Sequence, residues 1–229
     1  MATVGILGTG RMGVRLAAEF ARLGHRVVLG SRTPQRAAQI VAKLGHEGVR
    51  PDNYRAAVSA AEVVVPAIFL RDGLLETLRP LASYLEGKLY VDISNPFNDD
   101  YTDFILPWGT SSAEEIQRAF PRTRVVGAFK NVWWEVFDTP RFGGMVSDVF
   151  VVGDDDDAKR RFVALVDGMP FRFLDAGPLR NARTVERMTL LSGELGQRLD
   201  YFPRMNYRLL GEPRSAVPPD QVEEIAVAR

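Results

Sequence analysis

Short apolar runs alternate along the chain with amphipathic stretches of helical spacing. The apolar runs have the length and composition of buried strands and fall at residues 4–7, 26–30, 62–69, 88–93, 124–129, 149–152 and 171–174. Helical stretches separate them, at residues 14–23, 34–44, 54–60, 73–85, a segment beginning at residue 112, and 158–166. Alternation of this kind predicts an α/β fold, in which a doubly wound, mostly parallel sheet carries helices on both faces.

The predicted sheet is followed by a helical appendage. A turn at Asp175-Ala176-Gly177-Pro178 interrupts the alternation, and an amphipathic helix then runs from Leu179 to about residue 199. We therefore expect a main body at residues 1–174 and a C-terminal helical segment and tail at residues 175–229. The tail after Gly211 is rich in proline and polar residues and is expected to be loosely held.

A glycine-rich turn lies between the first apolar run and the first helical stretch. It reads Gly8-Thr9-Gly10-Arg11-Met12-Gly13, in the strand–turn–helix context of dinucleotide-binding sites. In such sites one glycine makes the turn, one lets the backbone approach a pyrophosphate, and one lets the helix pack closely on the strand. Unpaired N–H groups at the helix start hold the anion. The motif predicts a Rossmann-type body that binds a dinucleotide.

The end of the second apolar run indicates which dinucleotide is bound. NAD-specific sites carry Asp or Glu there, whereas this chain has Ser31 and Arg32. A hydroxyl and an arginine fork donate to a 2′-phosphate, which a carboxylate repels. Thr33 and Pro34 fit the N-cap and first position of the next helix, so Arg36 falls in its first turn, where a cation is unfavourable unless a phosphate is nearby. These residues favour NADP(H) over NAD(H).

Composition narrows the possible partners. The 229 residues include 29 basic and 29 acidic side chains, so no net charge attracts nucleic acid or an anionic membrane. The chain has no cysteine, which excludes disulfides, thiolate metal sites and cysteine nucleophiles. The first strand begins close to Met1, and the longest apolar run, residues 63–70, is too short to cross a bilayer. We expect a cytoplasmic protein with no membrane segment and no nucleic-acid partner.

Further motifs give the chain a likeness to a known family. In chain order they are Gly5-Ile6-Leu7-Gly8-Thr9-Gly10, Leu23-Gly24-His25, Gly30-Ser31-Arg32, Ser94-Asn95-Pro96, Ser112-Ala113-Glu114-Glu115-Ile116, residues 125–129, Gly153-Asp154-Asp155, Asp175-Ala176-Gly177-Pro178-Leu179 and Asn181-Ala182-Arg183. They cover most of residues 3–190, and the Asp-Ala-Gly-Pro-Leu turn is the most specific of them. On these motifs the chain resembles the NADP-dependent oxidoreductases typified by coenzyme F420:NADP oxidoreductase. That family is related to the cytoplasmic reductase domain of the six-transmembrane metalloreductases.

The resemblance implies hydride transfer between NADPH and an acceptor held near the nicotinamide. It places the pyrophosphate on Gly8, Thr9, Gly10, Arg11, Met12 and Gly13, and the 2′-phosphate on Ser31, Arg32 and Arg36. It places Pro66, Ala67, Asn95 and Pro96 along the nicotinamide half of the cofactor. The pocket for the acceptor is expected to be walled by Lys130, Asn131, Val132, Trp133, Gly177, Pro178 and Leu179.

One segment departs from the family pattern. Where related sequences usually have Asn or His followed by Thr, this chain has Lys130-Asn131, followed by Trp133-Trp134. Lys130 stands at the predicted carboxyl end of a strand, where open α/β sheets bind ligands. It is a candidate to anchor an acidic acceptor, or to give a proton if burial lowers its pKa; the alternative is a solvated lysine. We take Lys130 and Asn131 as the candidate catalytic residues.

Two other features allow more than one interpretation. Either Trp133 or Trp134 is able to stack on a planar acceptor ring, although packing in the core or at a dimer contact is the interpretation we favour. The acidic run at residues 154–157 follows a strand and precedes a helix, so it fits an N-cap and first-turn charge better than a metal site, and we expect no metal. Ser112 and Glu115 fit a capping box for the helix that begins there.

The leading functional hypothesis is an NADPH-dependent reductase of F420 or another flavin-like ring. No convincing nucleophile–base pair is present, and two stacked rings depend on positioning more than on a protein acid. A second hypothesis is an imine or carbonyl reductase of a small metabolite, which requires a positioned acid such as Lys130, Glu135 or Asp175. A third is a non-catalytic NADP(H)-binding regulator. The C-terminal segment is expected to cover the acceptor site or to form a homodimer contact.

Overall fold

The protein is described by a computed structural model that covers residues 1–211. The strands are β1 (Thr3–Leu7), β2 (Arg26–Ser31), β3 (Val49–Asn53), β4 (Val63–Pro66), β5 (Leu89–Asp92), β6 (Arg124–Gly127), β7 (Arg141–Phe142), β8 (Met145–Val146), β9 (Asp148–Val151) and β10 (Arg172–Asp175). The helices are α1 (Arg11–Arg22), α2 (Pro34–Leu44), α3 (Tyr54–Ala60), α4 (Leu74–Leu78), α5 (Ala82–Leu85), α6 (Ser112–Ala119), α7 (Asp156–Leu165) and α8 (Ala182–Arg198). The predicted loosely held tail after Gly211 lies outside the described residues.

Six strands form one parallel sheet in the order β3-β2-β1-β4-β5-β6. Strand β1 is central, and Val4 lies in register with Val27 on one side and Val63 on the other. The chain order reverses between β1 and β4, so their carboxyl ends open the crevice in which sheets of this kind bind ligands. The predicted α/β class and doubly wound parallel sheet are confirmed.

Apolar side chains fill both faces of this sheet. On one face α1 and α7 cover the strands, and Phe20 and Phe162 are fully buried there. On the other face α3, α6 and α8 pack around Tyr90, which is also fully buried. Helix α3 lies very close to the central strand, because a Cβ at Gly5 would come within 2.5 Å of the Ala57 carbonyl oxygen. Glycine is therefore required at this crossing of strand and helix.

Strands β9 and β10 form a separate pair beyond the end of the main sheet. They are parallel to each other, with Asp148 in register with Arg172. An antiparallel bridge between Gly127 and Val152 joins β9 to the end of β6. Strand β9 therefore runs antiparallel to β6, and their carboxyl ends meet at this bridge. The residues that follow β9 continue alongside β6 toward its amino end, where Asp155 pairs with Arg124.

Three local predictions are corrected by the structure. The segment after α2, for which the sequence predicts no strand, contains the edge strand β3, whose Pro51 is tolerated at a sheet edge. The single helix predicted at residues 73–85 is divided into α4 and α5 by a 3₁₀ turn at Arg79–Leu81, which contains Pro80. The cap of α6 is Ser111, whose Oγ accepts from the Glu114 N–H at 3.2 Å, one residue before the predicted capping box.

The long C-terminal helix is present as predicted and spans 17 residues in α8. Residues 200–211 fold back from its end, and the Tyr207 hydroxyl donates to the Met188 carbonyl oxygen at 2.6 Å. The Asp148 carboxylate anchors this return, since it accepts from the Leu209 N–H at 2.6 Å and pairs with Arg172 at 2.7 Å. Among residues 1–211, no helix combines the length and the apolar composition that crossing a membrane requires.

Candidate functional site

The glycine loop between β1 and α1 has the shape of a pyrophosphate cradle. Gly8 has a φ of +117°, and a Cβ there would come within 2.6 Å of the Ala67 carbonyl oxygen. A Cβ at Gly13 would lie 2.1 Å from the Gly8 carbonyl oxygen, so helix and turn pack directly on each other. At Gly10, by contrast, a Cβ would meet no atom within 4 Å. The loop is therefore closely packed at Gly8 and Gly13, whereas its backbone at Gly10 faces open space.

The start of α1 is suited to an anion. Gly10 is the N-cap and offers no side-chain cap, and the first turn contains no acidic residue. The first N–H groups of the helix are therefore available to a ligand, and the helix dipole favours negative charge there. Arg11 adds a cation at the first helical position. These residues fit a pyrophosphate without rearrangement of the loop.

The end of β2 carries hydrogen-bond donors and positive charge. Ser31 is buried and its Oγ accepts from the Thr33 N–H at 3.1 Å, which leaves the hydroxyl proton free to be donated. Thr33 is the N-cap of α2 and Pro34 its first residue, as predicted, and the first turn of this helix has no acidic residue. Arg32 follows β2 directly and Arg36 lies in the first turn of α2, and both side chains are exposed.

The predicted nicotinamide-side residues meet at the carboxyl edge of the sheet. Pro66 lies in register with Leu7, and the Ala67 N–H donates to the Leu7 carbonyl oxygen at 2.7 Å, which places both next to the glycine loop. Asn95 and Pro96 follow β5 and are buried. The Asn95 Nδ2 donates to the Lys130 carbonyl oxygen at 2.8 Å, so the ends of β5 and β6 are joined here.

Lys130 lies in a buried cluster of charges. Its side chain is fully buried, and its Nζ lies 2.5 Å from Asp92 Oδ2 and 2.8 Å from Glu186 Oε1. The Nζ also donates to the Ser94 carbonyl oxygen at 2.5 Å. Each carboxylate has a further partner: Asp92 accepts from the Ser94 hydroxyl at 2.6 Å, and Glu186 accepts from the Ser112 N–H at 3.0 Å. The ammonium therefore connects β5, β6 and α8.

The charges in this cluster perturb one another. Burial disfavours the charged form of Lys130, but the neighbouring Asp92 and Glu186 carboxylates outweigh it and raise the pKa of the ammonium above its usual range. Burial raises the pKa of the Glu186 carboxyl, which Lys130 opposes and Asp92 reinforces. The net effect of these neighbours is that the pKa of the Glu186 carboxyl lies above its usual range.

These contacts correct the predicted catalytic pair. Lys130 is neither solvated nor able to reach a bound molecule, and its pKa is raised rather than lowered. Asn131 is also fully buried, and its Nδ2 donates to the Asp148 carbonyl oxygen at 2.8 Å and to Asn206 Oδ1 at 2.9 Å. Both side chains hold the fold together at the edge of the site, and neither has the geometry of a catalytic residue.

The side chains that do lie next to the glycine loop form an aromatic cluster. The Trp133 ring lies 6.0 Å from Phe97 and 4.9 Å from Phe202, measured between ring centroids. Trp134 lies 5.6 Å from Phe202, and the Arg11 guanidinium sits 4.4 Å from the Trp134 ring centroid. The cluster thus reaches from the end of β5 to the first residue of α1. Both tryptophans are half-buried.

Helix α8 forms the outer wall of this region through its second half. The Trp133 Nε1 donates to the Ser192 hydroxyl at 3.0 Å, and a Cβ at Gly193 would come within 3.0 Å of the Trp133 ring. Thr189 donates its hydroxyl to the Lys130 carbonyl oxygen. Val132 is buried beside Trp133 and contributes to the core rather than to an open surface.

The turn at Gly177, Pro178 and Leu179 does not lie at this edge, which corrects its predicted place in the acceptor pocket. The Gly177 carbonyl oxygen accepts from the Gly153 N–H at 3.1 Å, and the Leu179 N–H donates to Asp154 Oδ1 at 2.8 Å. The next residue, Asp155, pairs with Arg124 at the beginning of β6. The turn therefore lies toward the amino end of β6, because the chain that follows β9 runs antiparallel to β6.

The acidic run before α7 acts as a helix cap, which confirms that interpretation. Asp155 accepts from the Ala158 N–H at 3.0 Å and forms two hydrogen bonds with the Arg124 guanidinium. The Arg124 guanidinium and the Ala158 N–H lower the pKa of the Asp155 carboxyl to about 2. Within the described part of the chain, no group of three His, Cys, Asp or Glu side chains is arranged to hold a metal ion.

Sequence reasoning missed Asp92, Glu186 and Phe202 as parts of this region. Asp92 ends an apolar strand and Glu186 lies on the buried face of α8, where a lone carboxylate signals a buried partner. Phe202 follows the helix and offers no local signal of its position. The residues of the glycine loop were predictable because they form a local sequence motif. Asp92, Glu186 and Phe202 are distant in the chain and are brought together only by packing.

Together, the doubly wound sheet and the glycine loop define a Rossmann-type nucleotide-binding protein. Its family follows from comparison with known proteins. The sequence model of the family described as NADP oxidoreductase coenzyme F420-dependent matches residues 3–96. The F420-dependent NADP reductase of Methanocaldococcus jannaschii is 30% identical over 202 residues, which cover 80% of this chain and 87% of that protein. This chain therefore belongs to the family of F420-dependent NADP oxidoreductases, and it is an oxidoreductase of the Rossmann class.

Other similar proteins differ in how much of their own length this chain covers. Metalloreductase STEAP3 of Rattus norvegicus is 35% identical over 188 residues, which are 82% of this chain but 36% of that protein. A crystal structure of a protein from Arthrobacter sp. FB24 matches over 92% of this chain and 100% of that protein's chain, with a TM-score of 0.80 and 27% identity. An imine reductase from Bacillus cereus, at 20% identity and a TM-score of 0.61, shares the fold.

Proposed function

We propose that this protein transfers a hydride between NADP(H) and a planar deazaflavin such as F420, or a similar flavin-like ring. The observation that carries the proposal is the aromatic cluster at the carboxyl edge of the sheet, joined to the glycine loop by the Arg11–Trp134 contact at 4.4 Å. Half-buried aromatic rings beside a nicotinamide site suit a flat acceptor, because offset stacking and edge contacts fix a ring without a charged anchor. The named activity of the family relatives supports the same acceptor.

Different residues of the chain bind the different parts of NADP(H). When bound, NADPH supplies a hydride from its nicotinamide ring. The glycine loop and the start of α1 hold the pyrophosphate, and Ser31, Arg32 and Arg36 hold the 2′-phosphate. Pro66, Ala67, Asn95 and Pro96 line the nicotinamide half. Positioning two rings at reacting distance accounts for much of the barrier reduction in such a transfer.

The alternative of an imine or carbonyl reductase has less support in the site. Such a reaction requires a positioned acid within reach of the substrate. The strongest candidate, Lys130, is fully buried between two carboxylates and contacts no open surface. Asp175 is bound to Lys159 at 2.9 Å, away from the glycine loop. The deazaflavin reaction needs no such acid, because solvent is able to protonate the acceptor.

The test is reductase activity of the purified protein with NADPH and either F420, FMN or FAD. We expect turnover with F420, measured as the loss of NADPH absorbance. Trp134→Ala is expected to raise the KM for F420 about tenfold, the upper range of an aromatic pair, while Trp108→Ala, which removes a highly exposed tryptophan, leaves it unchanged. NADPH binding without transfer to any of the three rings overturns the proposal and favours a small imine or carbonyl substrate, or a binding role.

The remaining expectations about partners are also proposals. We propose a homodimer in which the C-terminal segment takes part, since Leu191, Leu195 and Leu199 are exposed at spacings of four residues along one face of α8. Light scattering of the full chain measures the oligomeric state, and a monomer at micromolar concentration excludes a stable dimer. The division at residues 174 and 175, a cytoplasmic location and the absence of a nucleic-acid partner are proposed on composition and sequence pattern alone.

A further inference from the structure

Tyr54 lies beside the proposed 2′-phosphate site, although no sequence motif drew attention to it. Strand β3 ends at Asn53, which is in register with Ser31 at the end of β2. Asn53 caps α3, because its Oδ1 accepts from the Ala56 N–H at 2.9 Å, and this fixes Tyr54 as the first residue of the helix. The fold therefore places Tyr54 next to the Ser31–Arg32 turn.

The ring of Tyr54 packs against β2 at a position where the strand has no side chain. A Cβ at Gly30 would come within 3.1 Å of Tyr54 Cδ1, so the ring packs directly on the backbone of β2. The Gly30 carbonyl oxygen accepts from the Gly8 N–H at 3.0 Å, which ties the same residue to the glycine loop. The half-buried Tyr54 ring thus rests on the strand that separates the pyrophosphate cradle from the basic turn.

The Tyr54 phenol lies within the electrostatic influence of the Arg32 guanidinium. Burial raises the pKa of the Tyr54 phenol, and the Arg32 guanidinium opposes this rise through its charge and a hydrogen bond. The phenol therefore stays protonated at neutral pH. The nearest carboxylate in register with this turn, Asp52, is paired with Arg50 at 2.9 Å and accepts from the Asn53 N–H at 2.9 Å. It does not neutralise Arg32.

We propose that Tyr54 is a specificity-determining residue for the adenosine 2′-phosphate, an inference that rests on the proposed NADP(H) site. Its hydroxyl oxygen accepts from the Arg32 guanidinium, and its hydroxyl proton is donated to a phosphate oxygen. The same hydroxyl thus directs the Arg32 fork and contributes a contact that only a 2′-phosphorylated nucleotide uses. A nucleotide with a free 2′-hydroxyl gains little from it.

The test is binding of 2′,5′-ADP and of 5′-AMP, measured by calorimetry on the full chain with Tyr54→Phe. We expect about tenfold weaker binding of 2′,5′-ADP and of NADPH, the effect of one hydrogen bond to a charged group, and unchanged binding of 5′-AMP. Tyr84→Phe is the matched control: it removes a hydroxyl that accepts from Arg55 Nη2 at 2.8 Å and is expected to leave all three affinities unchanged. Phenylalanine keeps the ring that packs on Gly30, and the unfolding temperature reports whether the fold is intact.

A parallel Arg32→Ala variant separates the inference from the function on which it rests. If Arg32→Ala weakens binding of 2′,5′-ADP and Tyr54→Phe does not, the phosphate site stands and the role of Tyr54 is overturned. If neither variant changes the affinity for 2′,5′-ADP, the phosphate site itself is misplaced. An equal loss of 2′,5′-ADP and 5′-AMP binding in Tyr54→Phe shows a structural role for the hydroxyl and also overturns the inference.

Discussion

Lys130 and Glu186 form a buried ion pair, with Nζ and Oε1 2.8 Å apart and no more than 1% of either side chain exposed. They are separated by 56 positions in the chain, and their contact fastens α8 to the carboxyl edge of the sheet. Glu186 also accepts from the Ser112 N–H at 3.0 Å, so the same carboxylate holds the start of α6. The charged cluster is therefore the joint at which the outer helix and the aromatic cluster are positioned.

Lys130→Met is expected to lower the free energy of unfolding by at least about 3 kcal/mol, because it leaves two buried carboxylates without their cation. Denaturant titration measures the loss. Lys159→Met is the control: Lys159 is also buried, with 8% of its side chain exposed, but its partners Asp156 and Asp175 are more than half exposed and stay hydrated after the change. Its cost is expected to remain within about 1 kcal/mol. Equal costs for the two variants would show that the Lys130 cluster is not specially stabilising.

The raised pKa of Glu186 predicts a pH-dependent stability. A carboxyl whose pKa is higher in the folded chain than its ordinary 4.5 contributes most below that pH, and its contribution is lost as the pH rises through the folded pKa. Glu186→Gln removes this titration. We therefore expect the free energy of unfolding of the unmodified protein, relative to Glu186→Gln, to fall as the pH rises above 4.5. Lys130 stays charged throughout, since its pKa lies above 10.5.

For Glu114→Gln we expect a pH dependence of the free energy of unfolding that has the opposite sign. Burial favours the neutral form of Glu114, but hydrogen bonds from Arg183 and Ser111 outweigh it and lower its pKa below 4.5. Its contribution is therefore present above that value and lost as the pH falls, so the difference from Glu114→Gln should grow with pH. A pH-independent difference for Glu186→Gln would mean that Glu186 is already charged or already neutral across the whole range.

The parts of the molecule that the sequence predicted are those that local rules determine. The glycine loop, the Thr33-Pro34 helix start and the Asp155 cap each depend on residues within one turn, and the structure has them as expected. The buried cluster of Asp92, Lys130 and Glu186 was not predictable in this way, because it joins three elements distant in the chain.

The misplacement of the Gly177–Leu179 turn has a topological cause. A turn after a strand is expected at the carboxyl edge when all strands are parallel. Strands β9 and β10 are parallel to each other, yet the Gly127–Val152 bridge shows β9 to be antiparallel to β6. The chain that follows β9 therefore runs back along β6 toward its amino end, and no local sequence signal distinguishes this arrangement from a continuation of the sheet. Helix α8 then crosses back and reaches the carboxyl edge at Glu186.

Arg32→Asp is expected to weaken NADPH binding at least about 100-fold, because it replaces a charge-assisted donor by a repelling carboxylate. Binding of NADH, which lacks the 2′-phosphate, should change little. Fluorescence titration with both nucleotides measures the two constants. Arg55→Asp introduces the same charge reversal on α3, where Arg55 contacts Tyr84, and should leave the ratio of the two constants unchanged. Equal losses for NADPH and NADH in Arg32→Asp would place the phosphate elsewhere.

Alanine at the second and third glycines of the loop is expected to separate binding from stability. Gly10 has an extended backbone that any residue adopts, and a Cβ there meets no atom within 4 Å, so Gly10→Ala should leave the unfolding temperature nearly unchanged. It should nevertheless weaken NADPH binding, because the added methyl occupies the space that the pyrophosphate approaches. Gly13→Ala places a Cβ 2.1 Å from the Gly8 carbonyl oxygen and should destabilise the fold itself. Thermal unfolding with and without NADPH distinguishes the two, and a Gly10→Ala protein that binds NADPH normally would show that the pyrophosphate does not approach the loop at that residue.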